Sequence, residues 1–200
     1  MSFNDISALK ELIFLLKKIP FVSSRHLYRF TDHFLSIEKD ELKLFLNKLE
    51  SIKNKLIVCE KCSCWKEIDL ECFWCGNSRE KGIICIVETW IEAISIERSG
   101  IFKGEYHILG GSISLINGVT PDKLSFNLLI NRIINDDIKE LVIAINQTPE
   151  GNATAAYIEN IINQKKLSIK ITYLASGVPV GVNLEFVDKL TLSKAFSQRR

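Results

Sequence analysis

No stretch of about 18 consecutive apolar residues occurs in the 200-residue sequence, so nothing in it reads as a membrane span. The first residues lack the charged, then apolar, then small order of a secretory signal and carry acids at Asp5 and Glu11, so no signal peptide is expected. A surplus of one charge is missing too. The 26 Lys and Arg stand against 24 Asp and Glu, and a net +2 does not on its own indicate a nucleic-acid partner. The pattern Gly-x-x-x-x-Gly-Lys-Ser/Thr is absent, which excludes a P-loop nucleotide site. Apolar residues are not scarce. At 46% they argue against disorder, and the length suits one sizeable domain, or two small ones with a metal module.

Cysteine is concentrated rather than abundant. Five of the six cysteines fall between Cys59 and Cys75, and the sixth, Cys85, sits in a Val/Ile run, a distribution that suits a reducing cytoplasm. Cys59-x-x-Cys62 and Cys72-x-x-Cys75 are paired knuckles nine residues apart. Each knuckle can turn two thiolates toward one point, and two knuckles complete a tetrahedral sulfur shell for one structural Zn2+. Cys64 lies close enough to compete with Cys62 or Cys59 for a place in it. The loop between the knuckles is too short to bury a core, so the metal would supply its folding energy.

Ahead of the cysteines the spacing is helical. Leu9, Leu12, Ile13 and Leu16 predict a helix over 5–19, ended by Pro20. Ser23 or Ser24 can cap a second helix, with Leu27, Phe30 and Phe34 on one face and Arg25 and Arg29 on another. A third helix is expected from about Asp40, with Leu42, Phe45, Leu46 and Leu49 inward. The first two helices and their short turn resemble a helix-hairpin-helix, a unit that holds phosphates with the turn's backbone amides. Its usual turn is Gly-hydrophobic-Gly, and here Phe21 and Ser23 fill both glycine positions, which argues against an amide cradle and leaves Arg25 and Arg29 as side-chain phosphate contacts. Residues 1–56 hold ten Lys and Arg against seven Asp and Glu, whereas 57–80 hold three against five and offer a phosphate backbone only Lys61, Lys66 and Arg79.

Beyond the cysteines, buried-strand runs alternate with helices. Ile83–Val87, Tyr106–Leu109, Leu141–Ile145 and Ile169–Leu174 read as strands; 90–98, about 125–135 and 151–165 read as helices, the first of them with Ile91, Ile94 and Ser95 inward. The alternation implies a mostly parallel sheet, whose ligand sites lie past the carboxyl ends of the strands. Glu88, His107 to Gly111 and Asn146 to Gly151 fall there. A glutamate at one strand end with a polar cluster after a neighbouring strand is the layout of a Toprim domain, which holds Mg2+ with the glutamate and an Asp-x-Asp pair. Here the second cluster is Asn146-Gln147-Thr148, with Glu150 the nearby carboxylate, so weak Mg2+ binding is the most the residues suggest. No tyrosine nucleophile or general base is placed to use the ion, and His107 reads as a structural histidine.

The order of parts resembles the bacterial recombination mediator family RecR along nearly the whole chain. The residues that carry the resemblance are Tyr106-His107-Ile108-Leu109-Gly110-Gly111 with Ile113-Ser114 and Asn117-Gly118; Glu150-Gly151 with Ala153-Thr154-Ala155; and Gly177-Val178-Pro179-Val180-Gly181 with Leu184-Glu185, Asp188 and Thr191-Leu192-Ser193. The resemblance implies an α+β chain of several parts: a helix-hairpin-helix region over 1–56, a four-cysteine zinc module over 57–80, a Toprim domain over 81–175 and a Walker-B-like tail over 176–200. It implies a non-enzymatic, cytoplasmic, nucleoid-associated DNA-repair protein that forms a homotetramer or dimer. Such a protein binds DNA without sequence preference and acts with RecO and RecF to load recombinase on gapped single strands. Arg25 and Arg29 match the family's DNA contacts, and Glu88, Asn146 and Glu150 match Toprim positions tied to partner binding. A Mg-dependent Toprim nuclease and a protein-only scaffold without DNA binding are the competing expectations.

Overall fold

Apolar residues at helical spacing, interrupted at Pro20, fold into α1 (Ser7–Leu16) and α2 (Ser24–Ser36). The computed structural model describes residues 6–175, 177–197 and 199. The helix start expected at Asp5 and the segment limits at 1, 176 and 200 lie outside them. The chain divides into two units, Met1–Lys55 and Leu56–Arg200.

In the first unit, Ile13, Leu16 and Leu27 are buried, with Leu9, Leu12, Val22 and Phe34 packed around them. Ser23 caps α2 by accepting the His26 N–H at 3.4 Å. Phe30, expected inward, is 44% exposed, and Thr31 is buried in its place. A buried hydroxyl needs a partner, and Thr31 finds one by donating to the Leu27 carbonyl at 2.9 Å. The turn holds a second departure. Phe21 has φ 65°, the left-handed conformation that glycine adopts freely. For a residue with a Cβ that conformation costs about 1–2 kcal/mol. α3 (Lys39–Lys55) has Asp40 and Glu41 in its first turn and Lys53 and Lys55 in its last, which complements the helix dipole. None of its residues is buried, and Phe45, Leu46 and Leu49, expected inward, are each about half exposed.

The second unit opens with β1 (Leu56–Val58) and β2 (Trp65–Glu67), an antiparallel pair the sequence pattern did not indicate. Then come β3 (Glu80–Val87), α4 (Trp90–Ser99), β4 (Gly104–Ile108), α5 (Phe126–Asn135), β5 (Glu140–Ile143), α6 (Pro149–Gln164), β6 (Lys170–Tyr173) and α7 (Lys189–Ser197). β3 to β6 form one parallel sheet in the order β4-β3-β5-β6. Alternate side chains leave its two faces. Ile84, Ile86, Leu141 and Ile143 meet α5 and α6 on one face; Cys85, Val87 and Ala144 meet α4 and the cysteine module on the other. α4 turns Ala93 and Ile96 inward, rather than Ile91 and Ser95, which are exposed. No helix among the described residues is long and apolar enough to cross a membrane.

Candidate metal centre and nucleic-acid interface

The paired knuckles close on a single point. The sulfurs of Cys59, Cys62, Cys72 and Cys75 all lie within 4.8 Å of one another and all four residues are buried. Cys59 Sγ is 3.7 Å from Cys75 Sγ, and Cys62 Sγ is 3.5 Å from Cys72 Sγ. A tetrahedron of sulfurs about 2.3 Å from a central zinc has edges of about 3.8 Å, so the set fits such an ion. The local turns bring this about. Ser63 has φ 60° and returns its N–H to the Cys59 carbonyl at 2.9 Å, and a Cβ at Gly76 would stand 2.5 Å from the Cys72 carbonyl oxygen. Hydrogen bonding with Cys62 lowers the Cys59 thiol, and hydrogen bonding with Cys59 raises Cys62 and Cys75. Four sulfurs this close cannot all become thiolates without a cation between them. Cys64 is buried but outside the cluster, and burial pushes its thiol up to about 12.

The module is built onto the sheet. β4 is an edge strand, and its outward amides are taken: Tyr106 N–H donates to the Trp74 carbonyl at 2.8 Å and Ile108 N–H to the Cys62 carbonyl at 2.9 Å. The cysteine knuckles therefore cover an edge that would otherwise present unpaired backbone. The cations that could have faced a phosphate backbone are engaged here. Arg79 is buried, paired with Glu97 at 2.9 Å and set 4.4 Å from the centre of the Phe73 ring. Lys61 pairs with Asp136 at 2.8 Å, and Lys66 donates to the Leu70 carbonyl at 2.9 Å. Beneath the module, Glu105 is 1% exposed and holds Arg132 at 3.0 Å and Lys81 at 2.8 Å. Sequence reading missed Glu105 and Arg132, because a charge at a strand start and one on a helix look like solvated positions.

Past the carboxyl ends of the strands, Glu88 and Asn146 do come together. The Asn146 N–H donates to Glu88 Oε1 at 3.0 Å, and the Asn146 side-chain amide donates to Glu92 at 3.3 Å. Burial works against the charge of Glu92, but hydrogen bonds from Thr89 and Asn146 more than offset it and hold its carboxyl below the usual range. Thr89-x-x-Glu92 is a capping box that opens α4, a signal the sequence did contain. Glu150 is half-buried in the first turn of α6, beside Gly151, where a Cβ would stand 2.0 Å from the Asn146 carbonyl oxygen. Beyond the cysteines, no other group of three or more His, Cys, Asp or Glu converges among the described residues. His107 is fully buried with Nε2 3.0 Å from Ser125 Oγ, and burial lowers its pKa to about 3. It is a neutral packing group at physiological pH.

The tail is also held by local bonds. Asp188 accepts the N–H groups of Leu190 and Thr191, each at 3.0 Å, and so caps α7. Lys194 donates to the Gln147 side chain at 3.1 Å, which ties the tail to the polar strand ends.

Arg25 and Arg29 stand one helical turn apart on α2, both exposed. They belong to the first unit, whereas the cysteine cluster and the polar strand ends belong to the second.

A family model of the Toprim domain matches residues 82–175, and one described as RecR, C-terminal, matches residues 177–200. The chain is 38% identical over 193 residues to the recombination protein RecR of Clostridium perfringens, covering 96% of each chain. It is 36% identical over 192 residues to the recombination protein RecR of Staphylococcus aureus strain Newman, again covering 96% of each.

Proposed function

Because this chain belongs to the RecR family of recombination proteins, we propose that it is a non-catalytic mediator of recombinational DNA repair that binds DNA without reading bases. In this reading it works in the cytoplasm with RecO and RecF to load recombinase on gapped single strands, as a homotetramer or dimer. Its segments are the helix-hairpin-helix region, zinc module, Toprim domain and tail set out above. Zn2+ is held by Cys59, Cys62, Cys72 and Cys75 and has a structural part only. Glu88, Asn146 and Glu150 form a partner-binding face, and any Mg2+ there is weakly held.

One observation carries the DNA reading. Between Glu11 and Asp32 the chain has Lys17, Lys18, Arg25 and Arg29 and no carboxylate. Among the described residues none of the four cations has an ion-pair partner, and all are exposed. Cations left free on one small hairpin suit phosphates, and an oligomer multiplies weak contacts by avidity. The exposed apolar face of α3 supports the oligomer, since a 17-residue helix with no buried residue leaves a surface for another subunit.

Replacing Arg25 and Arg29 together by alanine is expected to weaken binding to every DNA sequence alike, and to lower the slope of log affinity against log salt by about 1–2. A salt-titrated anisotropy assay on the purified chain checks it. Unchanged affinity with an unchanged slope in the double variant removes the assignment. No DNA binding by the parent chain favours the protein-only scaffold. Mg2+-dependent cleavage of DNA that vanishes in Glu88→Gln favours the nuclease.

A further inference from the structure

The residue at the tip of the basic hairpin is fully exposed, and its backbone is in a conformation that suits glycine. Phe21 has a relative exposure of 104% and φ 65°. Its neighbours hold it there. Val22 packs against the core formed by Ile13, Leu16 and Leu27, and Ser23 caps α2, so the backbone is fixed immediately after Phe21. A strained conformation persists only when its surroundings determine it from outside. With Val22 and Ser23 committed, the Phe21 ring is displayed to solvent. Around it in sequence stand Lys17, Lys18, Arg25 and Arg29, without a carboxylate from residue 12 to residue 31. Three further exposed aromatics lie on the same hairpin: Phe14, whose ring centre is 5.1 Å from Lys18 Nζ, Tyr28 and Phe30.

An exposed aromatic set among free cations is the combination that binds single-stranded nucleic acid, the cations tracking phosphates and the ring stacking on a base. We propose that Phe21 is a base-stacking contact for single-stranded DNA at the tip of the α1–α2 hairpin. This inference rests on the DNA-binding reading given above. It adds the bases to what that reading assigns to phosphates alone. Because every base has a π-face, the contact is sequence-tolerant, and it makes the hairpin prefer unpaired strands, whose bases are free to stack, over duplex.

The test compares two lattices of equal length and charge, an oligo-dT and an abasic oligomer, against the full-length chain. Phe21→Gly is the informative variant, since glycine takes the turn's φ without strain and the variant's melting temperature should be no lower than the parent's. The expected result is about tenfold weaker binding to oligo-dT, little change on the abasic oligomer and an unchanged salt slope, with Phe21→Trp keeping or raising the oligo-dT affinity. Equal affinity of Phe21→Gly and the parent for oligo-dT overturns the proposal. So does an equal loss on both lattices. A fall in the mass of Phe21→Gly in solution, with the DNA loss following it, also overturns it and makes the ring a subunit contact. In each of these cases the dependence on Arg25 and Arg29 reports separately on the phosphate reading, and a parent chain that binds neither lattice brings down both.

Discussion

Cys72→Ala is expected to lose its metal, melt the cysteine module and destabilise the whole second unit. Cys72 supplies one of four sulfurs that lie within 4.8 Å of each other, and the short loop it closes buries no core of its own, only a face shared with Cys85, Val87, Tyr106 and Ile108 of the sheet. Structural zinc contributes about 10–16 kcal/mol to the folding of small modules, as much as the net stability of an ordinary domain. The loss does not stay in the module, because the carbonyls of Cys62 and Trp74 receive the outward amides of β4. With the knuckles open, Tyr106 and Ile108 N–H groups face solvent on an unguarded edge. Metal content per chain, thermal melting and hydrogen exchange at those two amides check the outcome together. One zinc in the parent, none in Cys72→Ala, a collapsed melting transition and fast exchange at β4 are the expected set. Cys64→Ala keeps its metal, since Cys64 stands outside the cluster. A Cys72→Ala chain that melts like the parent with the same metal content would falsify the metal reading.

Arg132→Met carries the second largest expected cost, about 3–5 kcal/mol. Glu105 and Arg132 have side chains only 1% and 4% exposed, and they meet at 3.0 Å. Arg132 also donates to the Tyr106 carbonyl at 2.8 Å, so a single side chain satisfies a buried carboxylate and a buried carbonyl. Methionine fills the space and leaves both groups short of a donor. Lys81, at 2.8 Å from Glu105, and Lys61, at 3.6 Å, remain, but their side chains are 49% and 39% exposed and already serve other partners. Urea unfolding measures the loss. The double variant Glu105→Gln/Arg132→Met is expected to recover part of it, because the uncompensated buried charge is then gone. A single variant within about 1 kcal/mol of the parent would mean that the buried pair is not what holds β4 to α5.

The strands were legible because a parallel sheet covered on both faces needs uninterrupted apolar runs, and Ile83–Val87 and Leu141–Ile145 are such runs. The ligand cluster was legible because metal geometry dictates the Cys-x-x-Cys spacing. Other features had no pattern to betray them. β1 and β2 are three residues each, too short for alternation to show. Thr31 took the core place that hydropathy gives to Phe30, because its hydroxyl is satisfied within its own helix. Ala93 displaced Ile91 because α4 packs closely enough on the sheet to favour a small side chain. Glu105 and Arg79 are charges that read as surface residues until their partners, distant in sequence, are seen beside them. The loss of the hairpin glycines was visible in the sequence, but its consequence was not: the turn keeps a glycine's backbone angle at Phe21.

The covered edge of β4 also has an order in time. All four cluster cysteines, 59 to 75, precede the strand they brace, which begins at Gly104. A chain made from its N-terminus therefore exposes the complete ligand set to the ribosome's surroundings before β4 exists. Once closed, the knuckles present the Cys62 and Trp74 carbonyls as a ready row of acceptors on which the arriving strand can register. Closing a loop of this size is fast compared with assembling a parallel sheet from distant segments. With the proposed zinc in place, a local event thus becomes the scaffold for a sheet assembled from distant segments. A cell short of zinc would feel the defect first in newly made chains, and only later in those already folded.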